Sequence, residues 1–128
     1  MDLVRGLLLK LEALDLSPGA VGVVSPYGAE LAIDGYSSDE IGHHLQMLVS
    51  GNLVETGGSR PFSGDGSLIF RGLSWQGHEF LDEIRDPERW KKTKAGADAV
   101  KSWSIDTFKD IAKGLVKKQI EEWSGVKL

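Results

Sequence analysis

At 128 residues, with 41% hydrophobic and 27% charged side chains, the chain has the make-up of one ordinary globular domain with an appended helix or two, which excludes a fibrous or disordered protein. It contains no cysteine, so disulfide frameworks, thiolate nucleophiles and cysteine-based zinc sites are ruled out, and a reducing compartment is expected. The net charge of −4 hides a division: 5 Lys/Arg stand against 13 Asp/Glu through residue 87, and 10 against 6 from residue 88 onward, so the first part should repel phosphates and the tail attract them.

Asp2 is placed to cap a first helix whose apolar positions Leu3, Val4, Leu7, Leu8, Leu11 and Leu14 recur at helical spacing. Lys10 and Glu12 interrupt this run and no small-residue cleavage pattern follows, so it does not read as a signal peptide. No apolar run approaches the ~20 residues a membrane span needs, and a cytoplasmic protein is expected. Residues 15–36 then change character. "SPGAVGVVSPYG" predicts loop or edge structure, and "AELAIDG" alternates as a short strand would, with Leu31 and Ile33 on one face.

Ser37 followed by Glu40 forms a capping box for a helix whose apolar stripe is Ile41, Leu45, Leu48 and Val49. Gly51 is expected to supply the left-handed residue that stops it. "LVET" reads as a strand, "GGSRPFSGDGS" as a glycine-rich loop and "LIFRGL" as the returning strand, so the helix is followed by a wing. Ser74 can cap a helix carrying Trp75, Phe80, Leu81 and Ile84. Asp86 and Pro87 end that helix and begin another over roughly 88–100, anchored by Trp90. A last helix starts near Ser104 with Ile105, Phe108, Ile111, Ala112, Leu115, Val116 and Trp123 along one side and Lys109, Lys113 and Lys117 along the other. Trp75 and Trp90 are expected to seal the wing against these helices, while Trp123 is the tryptophan best suited to touch a partner.

"GYSSDEIGHHLQMLVSGNLVE", "LSWQGHEFLDEIRD" and the tryptophan that follows resemble domain of unknown function 2513, an uncharacterised family of bacteria and their prophages. The likeness covers about half the chain, residues 35–90, and "LSWQGHEFLD" is its most specific part. The resemblance implies a winged-helix-like fold and supplies no catalytic residues. The same stretch is similar, more loosely, to winged-helix regulators, in which a helix ending in a histidine-leucine pattern precedes the wing. Such regulators have a positioning helix ahead of the reading helix, whereas residues 15–36 show loop and strand signals instead.

The expected fold is therefore α+β: a winged helix-turn-helix-like domain with a small antiparallel sheet over 1–86, and a C-terminal helical extension over 87–128 packing on it. The helix over 38–50 carries no lysine or arginine, and Asp39 and Glu40 stand where a DNA reader wants positive charge. His43, His44 and His78 do not form a metal site by spacing, because adjacent helical positions point about 100° apart. "GGSRPFSGDGS" lacks the lysine of a phosphate loop, and "HEF" lacks the second histidine of a zinc-protease helix. No catalytic residue, metal ligand or cofactor is expected. The leading expectation is a non-catalytic adaptor or inhibitor, of bacterial or phage origin, that binds a protein through Asp39, Glu40, His43, Gln46, Arg60 and Trp123, with a homodimer through the last helix in view. The alternative is a DNA-binding regulator using the 38–50 helix, the wing over 57–67 or the basic final helix, with Gln46, Arg60, Lys109, Lys113 and Lys117 as contacts.

Overall fold

The computed structural model describes residues 1–14, 20–58 and 60–125. Among these residues, five α-helices and one small antiparallel sheet make an α+β protein. The chain forms two compact units, Met1–His78 and Glu79–Leu128.

The first unit opens with α1 (Asp2–Glu12). Met1, not Asp2, is its cap residue; Asp2 occupies the first turn, where its carboxylate still opposes the positive end of the helix dipole. The expected stripe is buried from Leu3 to Leu11, each side chain contributing on the order of 1.5–3 kcal/mol. That stripe packs on α2 (Ser38–Ser50) and β3 (Leu68–Leu73).

The third strand does not come from "AELAIDG". Residues Ala29–Leu31 form a single 3-10 turn that buries Leu31, and the strand is β1 (Gly22–Val24), within the stretch read as loop or edge. Alternation over residues 30–34 is too short to separate a strand from a tight turn, and the preceding Pro26 and Gly28 favour the turn. The "SPG" of that stretch and Ser59 of the wing lie outside the described residues. Strand order is β1-β3-β2, all antiparallel, with β2 spanning Val54–Thr56.

At the start of α2 the capping box is present in both directions: the Glu40 N–H donates to Ser37 Oγ (3.1 Å) and the Ser37 N–H to Glu40 Oε1 (3.1 Å). Its end departs from expectation. Gly51 has φ −83°, and the left-handed residue is Asn52 at φ 59°. The Leu53 N–H reaches Leu48 O (3.0 Å) and the Asn52 N–H reaches Val49 O (3.1 Å), the paired bonds of a Schellman motif with asparagine in the left-handed place.

The loop between β2 and β3 is itself built. Phe62 and Leu68 form a bridge, and the Gly66 N–H donates to Ser63 O in a turn for which Gly66 adopts φ +84°. After β3, Ser74 donates from Oγ to Asn52 O (2.5 Å) and accepts from the Gly77 N–H (2.9 Å), so the expected cap of α3 (Trp75–Ile84) also ties that helix to the end of α2. Gly77 sits so close to the backbone of Leu53 that a Cβ would collide with its carbonyl.

In the second unit, Asp86 accepts from the Arg89 N–H (2.8 Å) and Pro87 opens α4 (Pro87–Ala99), as the sequence predicts. Ser104 caps α5 (Ile105–Ser124). Trp90 is buried and its ring lies 5.4 Å from that of Phe108, which also meets Trp103 at 5.6 Å. Arg89 joins the elements of this unit, donating to Glu83 O (3.1 Å) and to Gln119 Oε1 (2.7 Å). Trp75 does not take the sealing role: its side chain is 76% exposed, because it stands at the first position of α3 with the buried face set by Phe80, Leu81 and Ile84.

Candidate functional site

The outward face of α2 presents Ser38, Asp39, Gly42, His43 and Gln46, one row of a helix whose opposite row, Ile41, Leu45 and Leu48, is buried. Two other segments of the first unit reach this face: the turn holding Pro26 and Tyr27, and the loop tip at 64–66. Together they line a cleft of about 600 Å³. Gly42 is its narrowest contribution, since a Cβ there would only touch Pro26 at 3.5 Å.

The polar groups of the cleft are held by local bonds. Tyr27 donates from its hydroxyl to Asp39 Oδ1 (3.3 Å). Asp65 Oδ1 accepts from the Ser67 N–H (3.0 Å) and from Ser63 Oγ (3.1 Å). Those bonds favour the ionised form, the Ser67 backbone bond most, and hold the Asp65 carboxyl below its usual range. The cleft thus carries two carboxylates, an imidazole, a carboxamide and a phenol, and no lysine or arginine lines it. It can attract and orient a cationic or hydrogen-bond-donating group. Among the described residues, no three His, Asp or Glu side chains gather as metal ligands.

Of the residues predicted for a partner, Asp39, His43 and Gln46 share this cleft. Glu40 does not line it; its carboxylate is engaged at the Ser37 N–H. Arg60 is exposed further back in the loop, and Trp123 is exposed on α5 in the second unit. Lys113 and Lys117 line a separate groove of the second unit, and Lys109 is half-buried. His44 donates from Nδ1 to Glu40 O (2.8 Å), a local bond within α2, and His43 is exposed. Tyr27 and Asp65 were not anticipated. The signal for Asp65 was present in "SGDGS", where an aspartate between glycines bonds the backbone two residues on; Tyr27 carried none, because only the folded turn brings it to α2.

The fold and cleft define a small α+β protein with a polar, acidic cleft on its first unit. The chain belongs to the family described as "Hypothetical protein (DUF2513)", whose model matches residues 1–104. It is similar to an "Uncharacterized protein" of Haemophilus influenzae, with 35% identity over 121 residues, covering 94% of this chain and 93% of the relative. No solved structure matches it significantly. No helix among the described residues is long and apolar enough to cross a membrane.

Proposed function

We propose that this chain is a non-catalytic, winged-helix-like interaction module that binds a protein partner carrying a basic segment, in the manner of an adaptor or inhibitor. The observation that carries this reading is the cleft on α2: the surface a winged-helix reader would offer to DNA bears Asp39 and Asp65 and no lining cation. Phosphate contacts supply most of the affinity for a duplex, so carboxylates on the docking face repel the ligand they would need to hold. The order of helix, strand, built loop and returning strand supports the winged-helix description. Between β1 and α2 the described chain has a 3-10 turn where a positioning helix would stand, which further weakens docking in a groove. The lack of cysteine suits the reducing interior of a bacterial cell, the compartment in which we expect it to act, and a prophage origin is in keeping with the family resemblance.

Fluorescence anisotropy of the full chain against random duplex at ~50 mM salt tests the reading, since electrostatic DNA binding is strongest at low salt. No binding tighter than about 100 μM is expected, while a lysine-rich peptide titrated in parallel should bind and lose affinity on Asp39→Lys or Asp65→Lys. Micromolar duplex binding abolished by replacing Lys109, Lys113 and Lys117 with Glu would instead establish the nucleic-acid reading.

A further inference from the structure

Between α4 and α5 the second unit holds a cavity of about 240 Å³ lined by Arg89, Lys92, Leu115, Lys118, Gln119 and Glu122. Arg89 and Lys92 stand three residues apart on α4, and Lys118 and Glu122 four apart on α5, so each helix gives the cavity one row of side chains. Three cations thus meet one carboxylate. Among the described residues Lys92, Lys118 and Glu122 make no ion pair, including the Lys118–Glu122 pair that their spacing would permit.

Arg89 is held in place without hydrogen-bonding to a carboxylate. Its Nε and Nη2 donate to Gln119 Oε1 (3.2 and 2.7 Å), and its Nη1 donates to the main-chain oxygens of Asp82 (3.4 Å) and Glu83 (3.1 Å) in the last turn of α3. These acceptors are all uncharged, and a guanidinium has five N–H donors, so one on Nη2 is left over. Gln119 turns its oxygen to Arg89, which leaves the two N–H donors at the other end of its carboxamide. Apart from Glu122, the polar groups that remain at the cavity are therefore donors, carried by two helices.

We infer that this cavity binds a phosphate dianion, free or as the monoester end of a small molecule. Its volume lies below the ~300–1,000 Å³ of a site for a drug-sized ligand, so it takes a small group. Guanidinium and ammonium groups make charge-assisted bonds to phosphate, and a tetrahedral anion offers oxygens to donors from both helices, which a planar carboxylate does not. Leu115 gives the cavity an apolar side against which the organic part of a monoester can lie. A nucleic-acid strand is gripped by cations spread along its backbone, whereas these three close on one cavity and Glu122 stands beside them.

Nitrogen–proton NMR of the full chain in phosphate-free buffer, titrated separately with inorganic phosphate and phenyl phosphate at constant ionic strength, tests the site. The Arg89 Nε–H and Gln119 side-chain signals should shift and saturate with a dissociation constant of about 1 mM or tighter, and acetate should not move them. Equal constants for the two probes identify the free ion, and a tighter phenyl phosphate identifies a monoester. Lys92→Ala and Lys118→Ala should each weaken binding about threefold or more, while Glu122→Gln should tighten it about twofold. These three side chains are exposed, so the variants keep the fold, and Lys91→Ala, exposed on the same helix, should leave the constant unchanged. No saturable shift with either probe, an equal loss in Lys91→Ala, a Glu122→Gln variant that binds no tighter, or a duplex without terminal phosphates that displaces phenyl phosphate at equal phosphate concentration would overturn the inference.

Discussion

Gly77 shows how one hydrogen atom in place of a methyl group sets the path of the chain. α3 passes so near the Leu53 carbonyl that no side chain fits, and the atom in the way is backbone, which cannot rotate aside. Gly77→Ala should therefore force the helix away from the end of α2 at a cost of about 3 kcal/mol or more, read as a large drop in the urea midpoint or as failure to fold. Glu83 illustrates a titrating residue. Burial raises its carboxyl above the usual value, with Lys113 pulling in the opposite direction less strongly. The folded state thus holds this proton at a pH where the unfolded chain has released it. Its contribution to stability is full below the usual carboxylate value and is lost as pH rises through the raised one. Glu83→Gln should flatten this fall, so that the variant gains in melting temperature relative to the parent at pH 7 and the gain shrinks towards pH 3. Thermal denaturation across that range measures it.

At the scale of elements, α2 joins a stabilising start to an interior that is weaker than it need be. Its capping box and Schellman end satisfy groups at both termini, but Gly42 sits inside the helix, where glycine costs about 1 kcal/mol relative to alanine. The missing Cβ opens the cleft beside Pro26, which gives the glycine a use there. Gly42→Ala should raise stability by up to about 1 kcal/mol in chemical denaturation, since the new methyl meets Pro26 at ordinary contact distance. Gly42→Leu should keep the fold and fill the cleft, so partner or peptide binding falls while the melting temperature does not. Loss of binding without loss of fold would separate a binding role for the cleft from a structural one.

For the molecule as a whole, the decisive quantity is where charge lies. Net −4 and an isoelectric point near 5.3 describe an acidic protein, but the average matters less than the carboxylates at the α2 cleft and the lysines of α5. Exposed charges separated by more than about 10 Å are screened at ~0.1 M salt. Binding of a basic segment at the cleft should therefore weaken between ~50 and ~200 mM salt through a slower on-rate, measured by stopped-flow mixing.

Much of this arrangement was legible in the sequence because its causes are local. A serine three residues before a glutamate, a proline after an aspartate, apolar residues at helical spacing and two β-rich runs around a glycine loop each act within a few residues, and α2, β2, β3, α4 and α5 formed where those signals stood. Asp39, His43 and Gln46 were legible as neighbours for the same reason, since they share one helix face. The tertiary structure alone decided the rest. Which three residues became β1 depended on pairing with a strand some forty-five positions away, as Gly22 with Phe70, and Tyr27 and Asp65 joined the cleft from separate turns. Contacts between distant segments leave no periodic mark on the chain, because the free energy that fixes them comes from partners that only folding brings within reach.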